Sequence, residues 1–433
     1  MKKKMVSMLL VMTVCVSLIT GCGGNTTTEQ GSGDSNSAES TTVVSTKKED
    51  LLLWLPPNST DDSMDGVFWQ EALAPWAEEN NVNLTIEITP WGGYEEKYLT
   101  GFASGSGPDV GLMYLEMISD FIDMGALADM SGYFEQEEID NYLYFDSGYV
   151  RNGQYGVPVI VGNARIPLFN MDLLEQAGVT ELPTTWDEVT ETALKVKDAN
   201  LDNVIPFALA WGGTSIGTLN SSFYPFMWQA SGEIYDEAGE NVALMDTDGA
   251  VRAAQFLYDL RFTHEVMPDE CLTLTDNSVL DEFVAGRVAI MMGATANSEM
   301  LDNAGLNWDF VPYFVEDQAA VWVASDMLIM NDACENKELA ASLVKEITSA
   351  TVMEAYHTEI LPFPPISKDE TFLIDEKFKD LYENQTEHFK TLPVATGSFK
   401  VMDALYKNLQ LLMMGQLTPE EAIQLTVEYA NNL

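Results

Sequence analysis

The chain has 433 residues, of which 46% are hydrophobic, and it carries a formal net charge of −47. This acidity excludes nucleic acid as a partner, because phosphate binding requires clustered Lys and Arg side chains. Since 68 residues are Asp or Glu, carboxylate pairs must occur by chance, and no such pair by itself indicates catalysis. We therefore predict neither an enzyme nor a bound cofactor.

Residues 1–21 have the layout of a secretory signal peptide. Lys2 to Lys4 precede an apolar run from Met5 to Ile19, which is shorter than the about 20 residues that a membrane-spanning helix needs. The signal ends in Leu18-Ile19-Thr20-Gly21-Cys22, which resembles the lipobox of bacterial lipoproteins. That resemblance implies that Cys22 carries a diacylglyceryl group and palmitate. It also implies that the protein is anchored to the cell membrane on its extracellular face.

Residues 22–48 are predicted to form a flexible tether behind the lipidated cysteine. They are rich in Gly, Ser, Thr and Asn, and such a segment cannot bury enough apolar surface to offset its ordering entropy. Its reach is on the order of 25–30 Å. The remaining part of the chain is too long for one hydrophobic core, so we expect two domains.

Few residues are candidates for metal binding or for a disulfide. The three histidines have no spacing typical of a metal site, so we predict no metal. Apart from Cys15 in the signal and Cys22, the cysteines are Cys271 and Cys334. These two could form a disulfide outside the cell or remain buried thiols, and their spacing does not decide between the two.

The body begins with alternating strand and helix signals. The apolar run Leu51 to Leu55 is ended by two prolines, which is typical of a buried parallel strand. The next elements in chain order are a helix over 68–80, a strand over 84–88, a helix over 94–104 and a strand over 109–113. This order predicts an α/β fold.

Later helices have clear start signals. Thr185 with Glu188, and Thr418 with Glu421, form capping boxes in which each side chain binds the backbone N–H of the other. We also predict helices over 250–260 and 336–349 and a short buried strand over 286–293. Three tryptophans are expected to pack in the core rather than bind a ligand: Trp69, Trp76 and Trp186.

Several motifs occur in a fixed order across the body. They are Phe102 to Val110, Gly125 to Met130, Tyr155 to Pro158, Phe169 to Gly178, Leu182 to Glu188, Phe283 to Met291 and Gly415 to Ala422. In this order they resemble the family 1 extracellular solute-binding proteins of ABC importers, the group that includes maltose-binding protein. The resemblance implies a protein, expected to be a monomer, that passes a small solute to the permease subunits in the membrane.

The resemblance also implies the fold: an α/β, periplasmic-binding-protein-like (type II) architecture. Each of its two lobes is a mixed sheet flanked by helices, and the chain crosses between the lobes three times. The implied lobe 1 comprises residues 49–158 and 323–361, and lobe 2 comprises residues 159–311 and 367–433. Residues 312–322 and 362–366 are the implied hinge segments.

A sugar needs aromatic rings for its C–H faces and polar groups for its hydroxyls. Ligands of open α/β sheets gather beyond the carboxyl ends of the strands. Candidates at these ends and crossings are Trp54, Asn58, Trp91, Tyr94, Tyr114, Glu116, Trp211 and Trp322. The family pattern adds Asn163, with Arg165 close by.

One departure from the family pattern leaves the identity of the solute undecided. Sugar-binding relatives have an aromatic residue after the glycine that ends the 286–293 strand, whereas Gly293 is followed by Ala294-Thr295-Ala296-Asn297. A mono- or oligosaccharide is the leading expectation. A polyamine, an iron chelate or a phosphorylated compound is the alternative in the same fold. A surface glycoside hydrolase is a remote alternative, since it requires a carboxylate pair in a cleft.

Overall fold

The structure, a computed structural model, describes residues 48–59, 62–236, 241–371, 375–392, 395 and 397–433. The predicted signal, the lipidation site Cys22 and all of the tether except Lys48 lie outside the described residues. Within the described ranges, no helix is long and apolar enough to span a bilayer.

The strands fall into two principal sheets and two short pairs. In chain order they are β1 Glu49–Leu55, β2 Val82–Ile88, β3 Val110–Tyr114, β4 Tyr149–Val150, β5 Gly153–Gln154, β6 Val157–Gly162, β7 Arg165–Asn170, β8 Ile205–Ala208, β9 Val288–Ala294, β10 Trp308–Phe310, β11 Val321–Trp322, β12 Ala324–Met330 and β13 Phe389–Lys390.

Helices flank both sheets. They are α1 Asp62–Glu79, α2 Tyr94–Ser104, α3 Leu115–Asp123, α4 Gln136–Asn141, α5 Met171–Gln176, α6 Trp186–Asp198, α7 Leu219–Ser222, α8 Tyr224–Gln229, α9 Gly249–Tyr258, α10 Asp276–Val284, α11 Ser298–Asn303, α12 Lys337–Ile347, α13 Ala350–Glu359, α14 Lys379–Asn384, α15 Ser398–Met413 and α16 Pro419–Ala430.

The first sheet has the order β2-β1-β3-β12-β6. Strands β1, β2 and β3 are parallel, whereas β12 runs antiparallel to both of its neighbours. The apolar side chains of β1 explain its interior position between β2 and β3, because Leu51, Leu53 and Leu55 are buried in the core. Helices α1, α3 and α12 pack on this sheet.

The second sheet has the order β10-β7-β9-β8. Here β9 pairs with β7 antiparallel and with β8 parallel, so this sheet is mixed as well. Helices α5, α6, α7 and α10 pack against its strands. The α/β arrangement expected from the alternating signals is therefore confirmed.

The chain passes from one sheet to the other between consecutive strands. Strand β6 belongs to the first sheet up to Gly162, and β7 begins the second at Arg165. The passage between the sheets therefore lies at residues 163–164, and the lobe boundary at 158 stays a prediction. The chain returns between β10 and β12. Helix α15 then contacts both α3, beside the first sheet, and α16.

A buried carboxyl group organises the chain that follows α13. Glu370 Oε1 accepts hydrogen bonds from the backbone N–H of Ile366 (2.8 Å) and of Ser367 (2.9 Å). Its second oxygen lies 3.2 Å from Nδ1 of His357, and both side chains have no exposed surface. We name Glu370, His357, Ile366 and Ser367 the carboxyl clamp.

Most of the predicted local signals correspond to elements. Both capping boxes are present, at α6 and α16, and Trp69, Trp76 and Trp186 are buried. The helix predicted over 250–260 ends earlier, at Tyr258, and continues as a wider π-helical turn over Asp259–Thr263. This turn includes Arg261, whose guanidinium donates to the carbonyl oxygens of Met413 and Met267. Cys271 and Cys334 are free and buried, which decides between the two possibilities left open.

Candidate functional site

Polar side chains of the first sheet converge where β3 ends and α3 begins. Asp326 of β12 is paired directly opposite Tyr114 of β3, so the two side chains lie on the same face of the sheet. Glu116 follows in the first turn of α3. Glu116 and Asp326 are each only 7% exposed, although a charged side chain is rarely buried in a core without a partner.

The second sheet contributes a guanidinium at the start of β7. The guanidinium carbon Cζ of Arg165 lies 5.0 Å from the centroid of the Trp322 ring, which makes a cation–π contact. One of its terminal N–H groups donates to the carbonyl oxygen of Asn163 at 3.3 Å. Burial lowers the pKa of Arg165, and the nearby carboxylates of Asp276 and Asp326 oppose that change. Side chains from both sheets therefore meet at this point.

The two buried carboxyl groups have strongly raised pKa values. Burial raises the pKa of Asp326 to about 7, and the charge of Arg165 only partly counteracts it. Burial raises the pKa of Glu116 to about 8, and the neighbouring charge of Asp326 adds to this increase. Because burial penalises the charged form of a carboxyl group, both groups would be stabilised by a donor that approaches them.

Aromatic groups complete the cluster. The Tyr114 hydroxyl donates to Glu95 Oε1 at 2.9 Å, and Ser215 Oγ lies 3.5 Å from the same oxygen. The Tyr224 hydroxyl and the Trp322 indole N–H are buried, and no described residue is their hydrogen-bond partner. Buried polar groups in proteins are nearly always hydrogen-bonded, so these two groups can serve a ligand.

Eight residues meet here, and we call them the cleft cluster: Tyr114, Glu116, Asn163, Arg165, Trp322, Asp326, Asp276 and Tyr224. The first five of these are residues that the sequence pointed to as ligand contacts. Asn163 lies next to Arg165 and has a positive φ of 46°, a conformation that Asn tolerates better than most residues.

Of the other five candidates, three form hydrogen bonds within the protein. The Tyr94 hydroxyl donates to the Leu112 carbonyl at 2.5 Å, and the Asn58 amide donates to the Tyr356 hydroxyl at 2.9 Å. The Trp91 indole donates to the Pro57 carbonyl at 2.8 Å, although the ring itself is 39% exposed.

The remaining two candidates are tryptophans. Trp54 lies within β1 under the Lys97 ammonium, and Trp211 is stacked on Tyr406. Their indole N–H groups also lack a partner among the described residues. Ligand contact by Trp54 and Trp211 therefore stays a prediction.

Sequence reasoning missed Asp326, Asp276 and Tyr224. Asp326 had a detectable signal, since it is the one charged residue in the apolar run Ala324 to Met330. Asp276 is the first residue of α10 and accepts from Thr218 Oγ1 at 2.6 Å. In the sequence it cannot be distinguished from an ordinary helix-start acid. Tyr224 stands in an aromatic-rich segment in which every ring is a plausible core residue.

A further tyrosine lies at the position where this chain lacks the aromatic residue of the family pattern. Tyr382 of α14 places its hydroxyl 2.7 Å from Thr295 Oγ1, and it accepts from the backbone N–H of Ala164 at 3.1 Å. Thr295 follows β9, in the segment where relatives resembling maltose-binding protein have an aromatic side chain. A ring from a different part of the chain thus reaches this position.

Two α/β units with a cluster of polar and aromatic side chains between them are the architecture of a protein that encloses a small solute. The chain belongs to the family described as bacterial extracellular solute-binding protein, whose model matches residues 60–354. A protein of Brucella abortus (strain 2308), named only as a binding protein, is 24% identical over 375 residues, which cover 83% of this chain and 88% of the relative.

Two further relatives extend this comparison. The arabinooligosaccharide-binding protein of Halalkalibacterium halodurans is 28% identical over 210 residues, which cover 46% of this chain and 44% of the relative. A maltose-bound structure from T. maritima superimposes with a TM-score of 0.76 at 21% identity, over 88% of this chain and 99% of that chain. The predicted two-lobed fold is confirmed by this similarity.

Proposed function

We propose that the protein is the substrate-binding component of an ABC importer and captures a carbohydrate in the cleft cluster. The observation that carries this proposal is the meeting of Asp326, from the first sheet, and Glu116, from helix α3 beside it, with Arg165 from the second sheet, next to the ring of Trp322. Carboxylates and a guanidinium bind sugar hydroxyls, and an aromatic ring packs on sugar C–H groups. A relative named for arabinooligosaccharide binding and a fold shared with a maltose-bound protein support the same class of ligand.

Binding would be coupled to closure of the two lobes. We propose lobe 1 over about 49–158 and 323–361 and lobe 2 over about 159–311 and 367–433, with hinges at 312–322 and 362–366. A ligand that touches both lobes only when they are closed shifts the population toward the closed form by its differential contact energy. The permease subunits would recognise that closed form, and no bond of the ligand would change.

The location follows from the N-terminal segment. We propose that Cys22 carries the lipid and that residues 22–48 tether the monomeric body at the extracellular face of the cell membrane. Two acyl chains suffice for stable anchoring, at about 0.8 kcal/mol for each buried CH₂ group.

The decisive experiment is a thermal-shift screen of the purified body against mono- and oligosaccharides, followed by isothermal titration calorimetry on each sugar that raises the melting temperature. Saturable binding of a sugar that is recovered unchanged supports the proposal. Arg165→Met should weaken binding at least tenfold, whereas Arg287→Met, which removes an exposed arginine paired with Glu282, should leave it unchanged.

Two outcomes would contradict the proposal. Release of smaller sugars would indicate a glycoside hydrolase, for which the buried Glu116 and Asp326 are the available carboxyl pair. Binding of polyamines, iron chelates or phosphorylated compounds with no response to any sugar would leave the fold in place and change the solute.

A further inference from the structure

The cleft cluster contains more acidic side chains than basic ones. Glu116 and Asp326 are more than nine-tenths buried, and no other described residue donates a hydrogen bond to either carboxyl group. Asp276 lies beside Arg165 as a third acid. Among the described residues, Arg165 is the only cation whose charge lowers the pKa of Asp326 or Asp276, and none lowers that of Glu116.

A carboxylate that has lost most of its water is unfavourable unless a cation or a hydrogen-bond donor compensates its charge, and Arg165 does so only in part for Asp326. The arrangement of Glu116 near Asp326 is therefore unfavourable until a donor enters between them or one of them takes up a proton. A positively charged donor relieves both carboxylates at once, which a single neutral hydroxyl cannot do.

The charge of the whole protein acts in the same direction. The chain carries −47, and loss of the three leader lysines would bring the net charge to −50. Such a field concentrates cations at a cleft lined with acids and repels anions. The same field disfavours phosphorylated ligands. In addition, Arg165 is the only guanidinium of the described residues that faces the cluster.

The hydrogen-bond donors of the cluster distinguish an aminated sugar from a polyamine. The Trp322 indole N–H is buried without a described partner and can only donate. A protonated polyamine has donors but no acceptor, so it would leave this group unsatisfied. A sugar offers hydroxyl and ring oxygens as acceptors, and its C–H face suits the aromatic rings of Trp322 and Tyr224.

We propose that the preferred ligand is an amino sugar, or an oligosaccharide that contains one, with its ammonium group between Glu116 and Asp326. An oxygen of the sugar accepts from the Trp322 indole N–H, and the Arg165 guanidinium lies over the face of the indole ring. This inference rests on the proposed carbohydrate function and specifies the charge of the substrate.

The test uses sugars that differ only at one carbon. Glucosamine, glucose and N-acetylglucosamine form one set, and galactosamine, galactose and N-acetylgalactosamine form a second. The β-1,4-linked trimers of glucosamine, glucose and N-acetylglucosamine form a third, and spermidine is added as an amine without a sugar. Dissociation constants are measured by calorimetry at pH 7.0, where most of the amine is protonated and about half of Asp326 is ionised. In at least one set the amine should bind ten times more tightly than both of its counterparts.

Two variants locate the preference. Glu116→Gln and Asp326→Asn should each reduce the ratio of amine to hydroxyl affinity at least fivefold, whereas the exposed Glu359→Gln should leave the ratio unchanged. Circular dichroism and gel filtration confirm that each variant is folded before its affinity is measured.

The outcomes separate the two proposals. Tight binding of hydroxyl or acetamide sugars without a preference for the amine overturns this inference and leaves the carbohydrate function standing. An amine preference that survives both carboxyl substitutions also overturns it. Binding of spermidine alone, or of no sugar at all, overturns the carbohydrate function and the inference together.

Discussion

The guanidinium of Arg165 lies over the indole ring of Trp322, with 5.0 Å between its central carbon and the ring centroid. Arg165 begins β7 in the second sheet, and Trp322 ends β11, immediately before β12 of the first sheet. The contact therefore lies where the chain passes between the two principal sheets, because β11 pairs with β13 and directly precedes β12. A ligand held against this pair would lie at that passage.

Replacing Trp322 should weaken ligand binding without unfolding the protein. Trp322→Leu removes the ring face and the indole N–H, so we expect a loss of affinity of about tenfold, equivalent to about 1.4 kcal/mol. Calorimetry with a sugar from the screen gives the dissociation constant. Trp308→Leu is the matched control, because Trp308 is buried and lies under the Lys377 ammonium away from the cleft cluster. Equal losses of affinity in the two variants would contradict a ligand role for Trp322.

The raised pKa of Asp326 predicts a pH-dependent stability. Its pKa is about 7 in the folded protein and about 3.9 in an unfolded chain. The folded form therefore holds an extra proton between these values, and this contribution to stability is complete below about pH 4 and lost as the pH rises to about 7.

The Asp326→Asn variant isolates this effect from the other acids. Its unfolding free energy, relative to that of the unchanged protein, should increase by about 1–3 kcal/mol between pH 5 and pH 8. Urea unfolding of the ligand-free proteins at the two pH values measures the difference. A difference that stays constant with pH, or falls, would show that Asp326 is not a desolvated carboxyl group.

Loss of the carboxyl clamp should destabilise the protein strongly. Glu370→Ala leaves the buried N–H groups of Ile366 and Ser367 and the His357 ring without their acceptor, and we expect a cost of about 3–5 kcal/mol in unfolding free energy. Glu370→Gln keeps one acceptor oxygen and should cost less. Asp369→Ala, at the exposed neighbouring position, should change stability by less than about 0.5 kcal/mol. Similar urea midpoints for the two alanine variants would argue against the clamp.

The lipid anchor predicts where the protein is found after cell fractionation. The full-length chain should partition with membranes and incorporate an alkyne-labelled palmitate, whereas Cys22→Ser should be unlabelled and appear in the culture medium. Cys271→Ser, which alters a buried thiol, is the control and should behave like the unchanged protein. Membrane retention of Cys22→Ser would count against the lipobox assignment.

The sequence was informative wherever local chemistry decides the structure. The apolar run before Pro56 predicted β1, and the capping pairs Thr185–Glu188 and Thr418–Glu421 predicted the starts of α6 and α16. These signals depend on neighbours within about four residues, so they can be read from the chain alone.

The composition of the cleft cluster depends on long-range pairing instead. Asp326 is placed beside Tyr114 by strand register across more than two hundred residues, and Tyr382 reaches Thr295 from a helix far along the chain. Conversely, Tyr94 follows a strand as a ligand residue should, yet the Leu112 carbonyl accepts its hydroxyl. Position after a strand does not reveal which way a side chain turns.

Gly162 has a φ of 123°, and a methyl group added there would lie 2.8 Å from Cδ of Pro364. The link that leaves the first sheet and the segment after α13 consequently press against each other with no room to spare. We therefore expect the two segments to move together in any motion between the two sheets. A side chain at position 162 would separate them, although neither Gly162 nor Pro364 is proposed to contact the ligand.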